Sequence, residues 1–451
     1  MAPTGLEGRF AINTLFVVRM TPGQSITLCG AVINAGIVLG WRELLPRLGG
    51  GEAVLEELRL RFVDEYFSAK LAEAREWVSA LLEVAGRAVR AVGAEGILWT
   101  KELRSFLEDP RRHLVKKLYL YALDLQRGKL KPEEFEKVAL AAARTSLNTN
   151  LRSVYQSWVF LAIVAILGER LGAKIIFPEH GHILIERSGR QRGGSIPPNL
   201  VLLLEGRGYL SFFLEAPRPI GWGDNRDLSK AWRLYVALRP DAMIYSGRVL
   251  NIVELDSNPP IKRPDVIIEC KELPDWYVRV REIRGPFARP MTGVEWRNRW
   301  LRGLWAGLAD VLGVETPEDA YQVVREKRGL RLSEPQIVKL YARIYRPARL
   351  YLVSRAPVPK RVRQELESDP SIRVVDAVGF DVEKLKPLAE EVSNFARYGE
   401  EGETVTLDAQ TTLRLHKLGE TIGVRSLSEL IRLLVKLGEK HRDELRELVE
   451  G

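Results

Sequence analysis

Residues 249–272, VLNIVELDSNPPIKRPDVIIECKE, decide the predicted fold because they place acidic residues and one lysine where apolar strands end. Residues 249–256 alternate apolar and polar side chains, which predicts a strand with one buried face. A proline-containing turn follows, and residues 266–272 form a second run rich in β-branched side chains. Two strands joined in this way are expected to be antiparallel.

Side chains alternate along the second strand, so Glu269 and Lys271 share one face while Cys270 points to the other. Burying a carboxylate and an ammonium beside apolar residues is unfavourable unless they pair or bind something. A divalent cation held by Asp256 and Glu269 would satisfy both carboxylates. Lys271 would then lie beside the water that the metal activates, where an ammonium can orient the nucleophile or stabilise developing charge.

The series Asp256, then Glu269-Cys270-Lys271, resembles the signature of the PD-(D/E)XK nuclease superfamily. The resemblance implies a restriction-endonuclease-like core and a phosphodiesterase that depends on Mg²⁺ or Mn²⁺. It implies that Asp256 and Glu269 are metal ligands, that Lys271 is the catalytic base or water-orienting group, and that Glu254 is an auxiliary acid.

A second register starts from Arg-Pro-Asp at residues 239–241, which resembles the opening of the hairpin in other members of the superfamily. It would pair Asp241 with Glu254 and would put Asp256 at the lysine position. We rank Asp256 first and Asp241 second as the first metal ligand. The alternative without chemistry is a strand whose charged side chains form salt bridges at the surface.

The composition indicates a globular protein with a polyanionic partner. The chain has 451 residues, is 46% hydrophobic and carries a formal net charge of +9, which favours a polyanion such as a nucleic acid as a partner. Two cysteines make a disulfide framework unexpected and point to the reducing cytoplasm. The apolar run 158–167 is too short to span a bilayer, so no membrane partner is expected. The abundance of Arg and Glu is typical of proteins from hot environments.

The fold class predicted from the element pattern is α/β (α+β) with several domains. Residues 1–148 are mostly helical, residues 149–394 form the mixed-sheet nuclease-like core, and residues 402–451 form a separate C-terminal domain. The elements on which this division depends are helices at 52–90, 114–125 and 132–143, strands at 174–177, 199–204 and 209–215, and a β-α-β unit at 349–376.

Other polar residues are candidates for accessory roles. Glu215, at the end of a predicted strand, could add a metal ligand. His180 and His182 invite a metal site, but without acidic or Cys partners at ligand spacing they also fit an ordinary loop. Arg297 and Arg299, near the start of a predicted helix with interleaved tryptophans, are candidates for contacts to DNA phosphates.

The C-terminal domain consists of a short strand at 404–407, a helix at 408–422 and a second helix from Ser426. This order resembles a ribbon-helix-helix domain, which implies a homodimer whose paired strands enter the DNA major groove. Thr404 and Thr406 would then face the bases, and Ser426 would cap a helix whose amides bind phosphate. The alternative is a module that only dimerises, because threonines read bases poorly.

Together these patterns predict a homodimeric, metal-dependent DNA endonuclease. The alternative is a non-cleaving DNA-binding protein, of mobile-element or repressor type, that retains the nuclease fold. A structural assembly protein is a third class. Convergence of Asp256, Glu269 and Lys271 in space would distinguish the first two.

Overall fold

The chain divides into two units, Met1–Gly399 and Glu400–Gly451. The computed structural model describes residues 25–28, 31–34, 40–185, 196–216, 239–254, 259, 261–283, 305, 307–326, 330–398 and 409–424, with residues 430, 433–434, 437–438 and 440–441.

Two long helices, α1 (Glu52–Val92) and α5 (Pro132–Leu171), pack side by side in the first unit. Each ends at a glycine in the left-handed conformation, Gly93 and Gly172. The other α-helices among the described residues of this unit are shorter: α2 (Lys101–Glu108), α3 (Pro110–Lys117), α4 (Tyr119–Gln126), α6 (Pro317–Glu326), α7 (Glu334–Tyr345), α8 (Lys360–Glu367) and α9 (Lys386–Ser393).

A seven-stranded mixed sheet forms the centre of the unit, in the order β13-β12-β9-β8-β7-β6-β4. The strands are β4 (Lys174–Phe177), β6 (Leu200–Leu204), β7 (Gly208–Leu214), β8 (Ala242–Ser246), β9 (Val266–Lys271), β12 (Arg349–Ser354) and β13 (Ile372–Val375). Pairing is antiparallel from β4 to β9 and parallel from β9 through β12 to β13.

Three two-stranded pairs complete the β-structure of the described residues. They are β1 (Ser25–Leu28) with β2 (Ala31–Asn34), β3 (Gly96–Leu98) with β5 (His182–Leu184), and β10 (Val280–Ile283) with β11 (Leu330–Ser333).

The sheet lies between two hydrophobic cores, because alternate residues of each strand point to opposite faces. Ile268 and Phe212 belong to the core that contains α1 and α5, whereas Ile267 and Phe213 belong to the core that contains α7. This is a mixed helix-and-sheet architecture in three layers, as the predicted α/β class requires.

Among the described residues, α5 is the one helix long and apolar enough to cross a membrane. Of its most apolar window, 83% is buried inside the protein. Its apolar half therefore acts as the central core helix, packed between α1 and the sheet.

Several predicted elements are confirmed: α1, β4, the β6–β7 hairpin, and the parallel β12-α8-β13 unit. Two predicted boundaries differ from those in the structure. The division predicted at residue 148 falls inside α5, because this helix packs on α1 and also on the sheet and so joins both regions in one core. The helix predicted at 114–125 is broken at Leu118, between α3 and α4.

The strand predicted at 249–256 was wrong for its described part, residues 249–254. The antiparallel neighbour of β9 is β8 instead. The isolated bridge of Val253 goes to Ile261, which lies in the predicted turn and not in β9. Gly247 has a φ of +84°, which turns the chain out of the sheet directly after β8. Ser211 stabilises this turn, since its hydroxyl donates to the Gly247 carbonyl and accepts from the Val249 N–H, both at 2.8 Å.

The second unit contains α10 (Ala409–Ile422), which matches the predicted helix. Gly423 follows with a φ of +76°, and the Val424 N–H donates to the Gly419 carbonyl at 2.8 Å. Helical residues occur again at 430, 433–434, 437–438 and 440. The predicted strand at 404–407 and the predicted cap Ser426 lie outside the described residues.

Two helical glycines should respond in opposite ways to alanine. A Cβ on Gly168 of α5 would lie 2.7 Å from a backbone carbon of Ala91 in α1, so the helices would have to move apart. We expect Gly168→Ala to lower the free energy of unfolding by about 1–3 kcal/mol. A Cβ on Gly86 of α1 meets only the flexible end of Arg90, so Gly86→Ala should stabilise by up to about 1 kcal/mol. Denaturant unfolding of both variants measures this, and equal effects would contradict the close α1–α5 contact.

Candidate active site

Asp241, Glu269 and Lys271 meet where β8 begins and β9 ends. The antiparallel register pairs Ala242 with Ile268, so Asp241, one residue before β8, lies beside Glu269. The Asp241 N–H points at Glu269 Oε2, 3.3 Å away. Glu269 and Lys271 share one face of β9, as predicted, and Cys270 packs with Ile268 in the core on the other face.

Two hydrogen bonds orient the Asp241 carboxylate. The Cys270 backbone N–H donates to Oδ2 at 2.6 Å, and Gln156 Nε2 on α5 donates to Oδ1 at 2.5 Å. The strand partner and the core helix therefore hold one oxygen each. Both partners use only part of the carboxylate's accepting capacity, since each oxygen has two lone pairs.

Lys271 is buried between two glutamates. Its Nζ donates to Glu269 Oε1 at 2.8 Å and to Glu334 Oε2 at 2.6 Å, and only 6% of the lysine side chain is exposed. Glu334 is the first residue of α7, which begins with a capping box between Ser333 and Gln336. Two carboxylates favour the charged ammonium form of this lysine.

The electrostatics of Asp241 reflect its crowded position. Burial in the cleft, together with the neighbouring Glu269 carboxylate, raises the pKa of Asp241 well above its usual range, and Lys271 opposes the shift. The two carboxylates thus repel each other, and a cation between them would remove that repulsion. Burial also raises the pKa of the Cys270 thiol, so this cysteine lacks the thiolate character of a nucleophile.

A cleft of about 200 Å³ opens over these residues, and charged pairs lie along its rim. Arg239 Nη1 is 3.9 Å from Glu215 Oε2, and Arg152 Nε is 3.6 Å from Glu272 Oε1. Glu215 has a φ of +47°, an uncommon conformation for a residue with a side chain, of the kind that clusters at functional sites.

The structure brings some of the predicted site residues together and places others elsewhere or does not describe them. Asp241, Glu269 and Lys271 come together, and Glu215 reaches the same cleft. Glu254 is exposed and is not among the residues that line the cleft. Asp256, Arg297, Arg299, Thr404, Thr406 and Ser426 lie outside the described residues.

Sequence reasoning missed two contributors, Gln156 and Glu334. Gln156 had a weak local signal, a polar residue just before the apolar run 158–167 of α5. Glu334 had a weaker one, because the capping box Ser333 to Gln336 marks a helix start but does not say which strand end that helix meets. Both depend on contacts between distant parts of the chain.

The chemistry of the donors suits a hard divalent cation. Mg²⁺ is usually bound by one or two carboxylates and keeps several waters, and Asp241 and Glu269 are two carboxylates that could hold it. In the described part of the chain, no three His, Cys, Asp or Glu side chains form a more complete cluster. His180 and His182 have ring centroids 5.3 Å apart. His182 begins β5, and its Nδ1 lies 2.8 Å from the His180 carbonyl oxygen.

Removing the buried ammonium should be strongly destabilising. Lys271→Met leaves Glu269 and Glu334 side by side without their shared cation. Breaking a buried ion pair in this way costs about 3–5 kcal/mol. Thermal or denaturant unfolding at neutral pH measures the loss, and Lys339→Met, which breaks a more exposed bridge to Glu365, should cost less than about 1 kcal/mol. Equal effects would contradict the buried arrangement.

Comparisons with known proteins leave this site to be judged on its own geometry. No protein-family model, no curated protein and no solved structure matches the chain.

Proposed function

We propose that the protein is a metal-dependent nuclease that hydrolyses phosphodiester bonds in DNA, with Asp241, Glu269 and Lys271 at its active site. The observation that carries this proposal is the approach of Asp241 to Glu269 across the β8–β9 pair, with Lys271 bonded to Glu269. Asp241 therefore takes the place we first gave to Asp256. The motif combines the Asp of one predicted register with the Glu-x-Lys of the other.

The order of elements around the site supports a restriction-endonuclease-like core. A long helix, α5, precedes an antiparallel meander whose last strands carry the acids, and α7 leads to β12, which pairs in parallel with β9. A helix ahead of the meander that carries the acids, and a β-α-β unit that completes the core, are what the resemblance of Glu269-Cys270-Lys271 to the nuclease superfamily implies.

Each residue of the site has its own role in the proposed reaction. A Mg²⁺ ion held by Asp241 and Glu269 would lower the pKa of the attacking water and neutralise phosphate charge. Lys271, charged between two glutamates, can donate to a phosphate oxygen as negative charge builds up in the transition state. Gln156 fixes the rotamer of Asp241, and Glu334 fixes that of Lys271.

Arginines near the site support a nucleic-acid substrate. The chain carries +9 overall, and the arginines at 152, 239 and 279 line the cleft around the buried acids. Arginines paired at a rim can exchange a carboxylate for a phosphate oxygen, which they bind in the same bidentate geometry. A cytoplasmic location accords with this partner and remains an expectation.

For the second unit we propose a dimerisation and DNA-binding role of the ribbon-helix-helix type. Apolar side chains are exposed on its described helical residues: Leu413, Leu418, Ile422, Leu433 and Leu437. Such surface on a soluble protein indicates a partner, and a second copy of the chain would supply it.

Cleavage assays test the active site. Purified protein with Mg²⁺ or Mn²⁺ should cut DNA, and Asp241→Asn, Glu269→Gln and Lys271→Met should each lower the rate by at least about a hundredfold. Glu205→Gln, in the exposed β6–β7 turn, is the matched control and should cleave normally.

Two results would contradict these assignments. If Asp256→Asn abolishes cleavage and Asp241→Asn does not, the first predicted register is right. If the wild-type protein binds DNA but never cuts it with any divalent ion, the non-cleaving DNA-binding alternative is favoured.

The role of the second unit can be tested in the full chain. Val405→Asp would bury a charge in the proposed dimer core, so it should give monomers by sedimentation and weaken DNA binding in gel shifts. Thr404→Ala with Thr406→Ala should leave the dimer intact and weaken binding by at most a few kcal/mol. A Val405→Asp protein that stays dimeric and binds DNA normally would exclude this unit from both roles.

A further inference from the structure

A larger cavity, of about 880 Å³, adjoins the proposed active site. It runs along α5 between the sheet and α2–α4, and it shares Gln156, Glu215, Asp241 and Cys270 with the smaller cleft. Its volume falls within the range of ligand-binding pockets, roughly 300–1,000 Å³. The two cavities therefore lie on either side of shared residues, Asp241 among them.

The walls of this cavity are mostly apolar. Phe160, Ile163, Phe212 and Ile268 are among its buried lining residues. Water in contact with such walls is unfavourable, so an apolar occupant would stabilise the protein. A flat aromatic ring suits this wall, in which Phe160 and Phe212 pack edge to face with ring centroids 5.8 Å apart.

The charges of the cavity exclude a phosphate from its interior. Among the described residues that line it, Lys117 is the one cationic side chain, and its Nζ donates to Glu102 at 2.6 Å. At the end shared with the active site, Glu215 and Asp241 would repel a bare phosphate. The occupant therefore has an uncharged body, and any phosphate attached to it stays in the smaller cleft.

A polar stripe on α5 supplies hydrogen-bonding groups along one wall. Its members recur every three or four residues, at Thr145, Ser146, Thr149, Asn150, Ser153 and Gln156. Asn150 is 6% exposed, and its Nδ2 donates to the Ser146 carbonyl at 2.8 Å and lies 3.3 Å from His113 Nε2. In the described part of the chain its Oδ1 has no recorded partner, so this oxygen can accept a bond from a ligand.

We propose that the cavity takes an unpaired nucleobase of the substrate, next to the phosphate that is cut at Asp241 and Glu269. This inference rests on the proposed nuclease function and names its substrate class: DNA with an unpaired nucleotide at the cleavage site. A base has the apolar faces and the polar edge that the walls and the α5 stripe require. Unpaired bases are selected over paired ones, because they enter such a pocket without the free energy needed to open a base pair.

Equilibrium binding of the full-length protein in EDTA tests the inference without cleavage. Two short duplexes of the same sequence are compared, one fully paired and one with a single bulged nucleotide. The wild-type protein should bind the bulged DNA about tenfold more tightly or better. Equal affinity for the two DNAs would overturn the proposal, and this comparison needs no variant.

Two variants of α5 add a matched test. Ala142→Trp places an indole in the cavity and should remove the preference for bulged DNA. Asn148→Trp is an exposed position of the same helix outside the lining set, and it should keep the preference. If Ala142→Trp melts far below the wild type, the second measurement is calorimetric binding of uncharged nucleosides to the wild type, where no heat of binding would overturn the proposal.

Failure of the inference and failure of the nuclease assignment give different results. Cleavage of fully paired DNA with no preference for bulged DNA would contradict the base-pocket inference and would support the nuclease assignment. Tighter binding of bulged DNA, without cleavage in Mg²⁺ or Mn²⁺, would contradict the nuclease assignment and would support the base pocket. An apolar dye that binds the wild type and is not displaced by bulged DNA would assign the cavity to an unrelated apolar compound, against the proposal.

Discussion

The pairing of β8 with β9 is the constraint on which the site depends. It sets Ala242 opposite Ile268 and so brings the Asp241 carboxylate to the Cys270 N–H and beside Glu269. A shift of this register by one residue would turn Glu269 and Lys271 into the α1–α5 core, where two charges would be buried among apolar side chains. Hydrophobic packing on both faces of the sheet therefore also fixes the geometry of the proposed active site.

Helix α5 links the site to the rest of the first unit. Its apolar half packs against the sheet as a core helix. Its residues at 145–156 carry the polar stripe, which ends at Gln156, the residue that contacts Asp241. Reading the sequence as separate helical and catalytic domains missed this, because a change in composition along one helix looks like a boundary. The change marks the point where the helix moves from contact with neighbouring helices to contact with the sheet.

Local pattern was enough to predict part of the site. The alternation in β9 correctly put Glu269 and Lys271 on one face, and the hairpin and the β-α-β unit were confirmed. The predicted partner of β9 was wrong. Residues 249–254 have the alternation of a strand, but the turn at Gly247 takes them out of the sheet. Glu334 could not be predicted, since nothing local says that the start of α7 meets Lys271.

The sequence separations within the site have a consequence for the newly made protein. Asp241 and Glu269 are 28 residues apart, Lys271 and Glu334 are 63 apart, and Gln156 and Asp241 are 85 apart. Contacts of such separation form late, after the loops between them have closed. β9 also needs β12 as its second neighbour, so a chain emerging from the ribosome has no assembled centre until residue 354 is available. A partly synthesised chain therefore lacks the full set of contacts around Lys271 until α7 and β12 have left the ribosome.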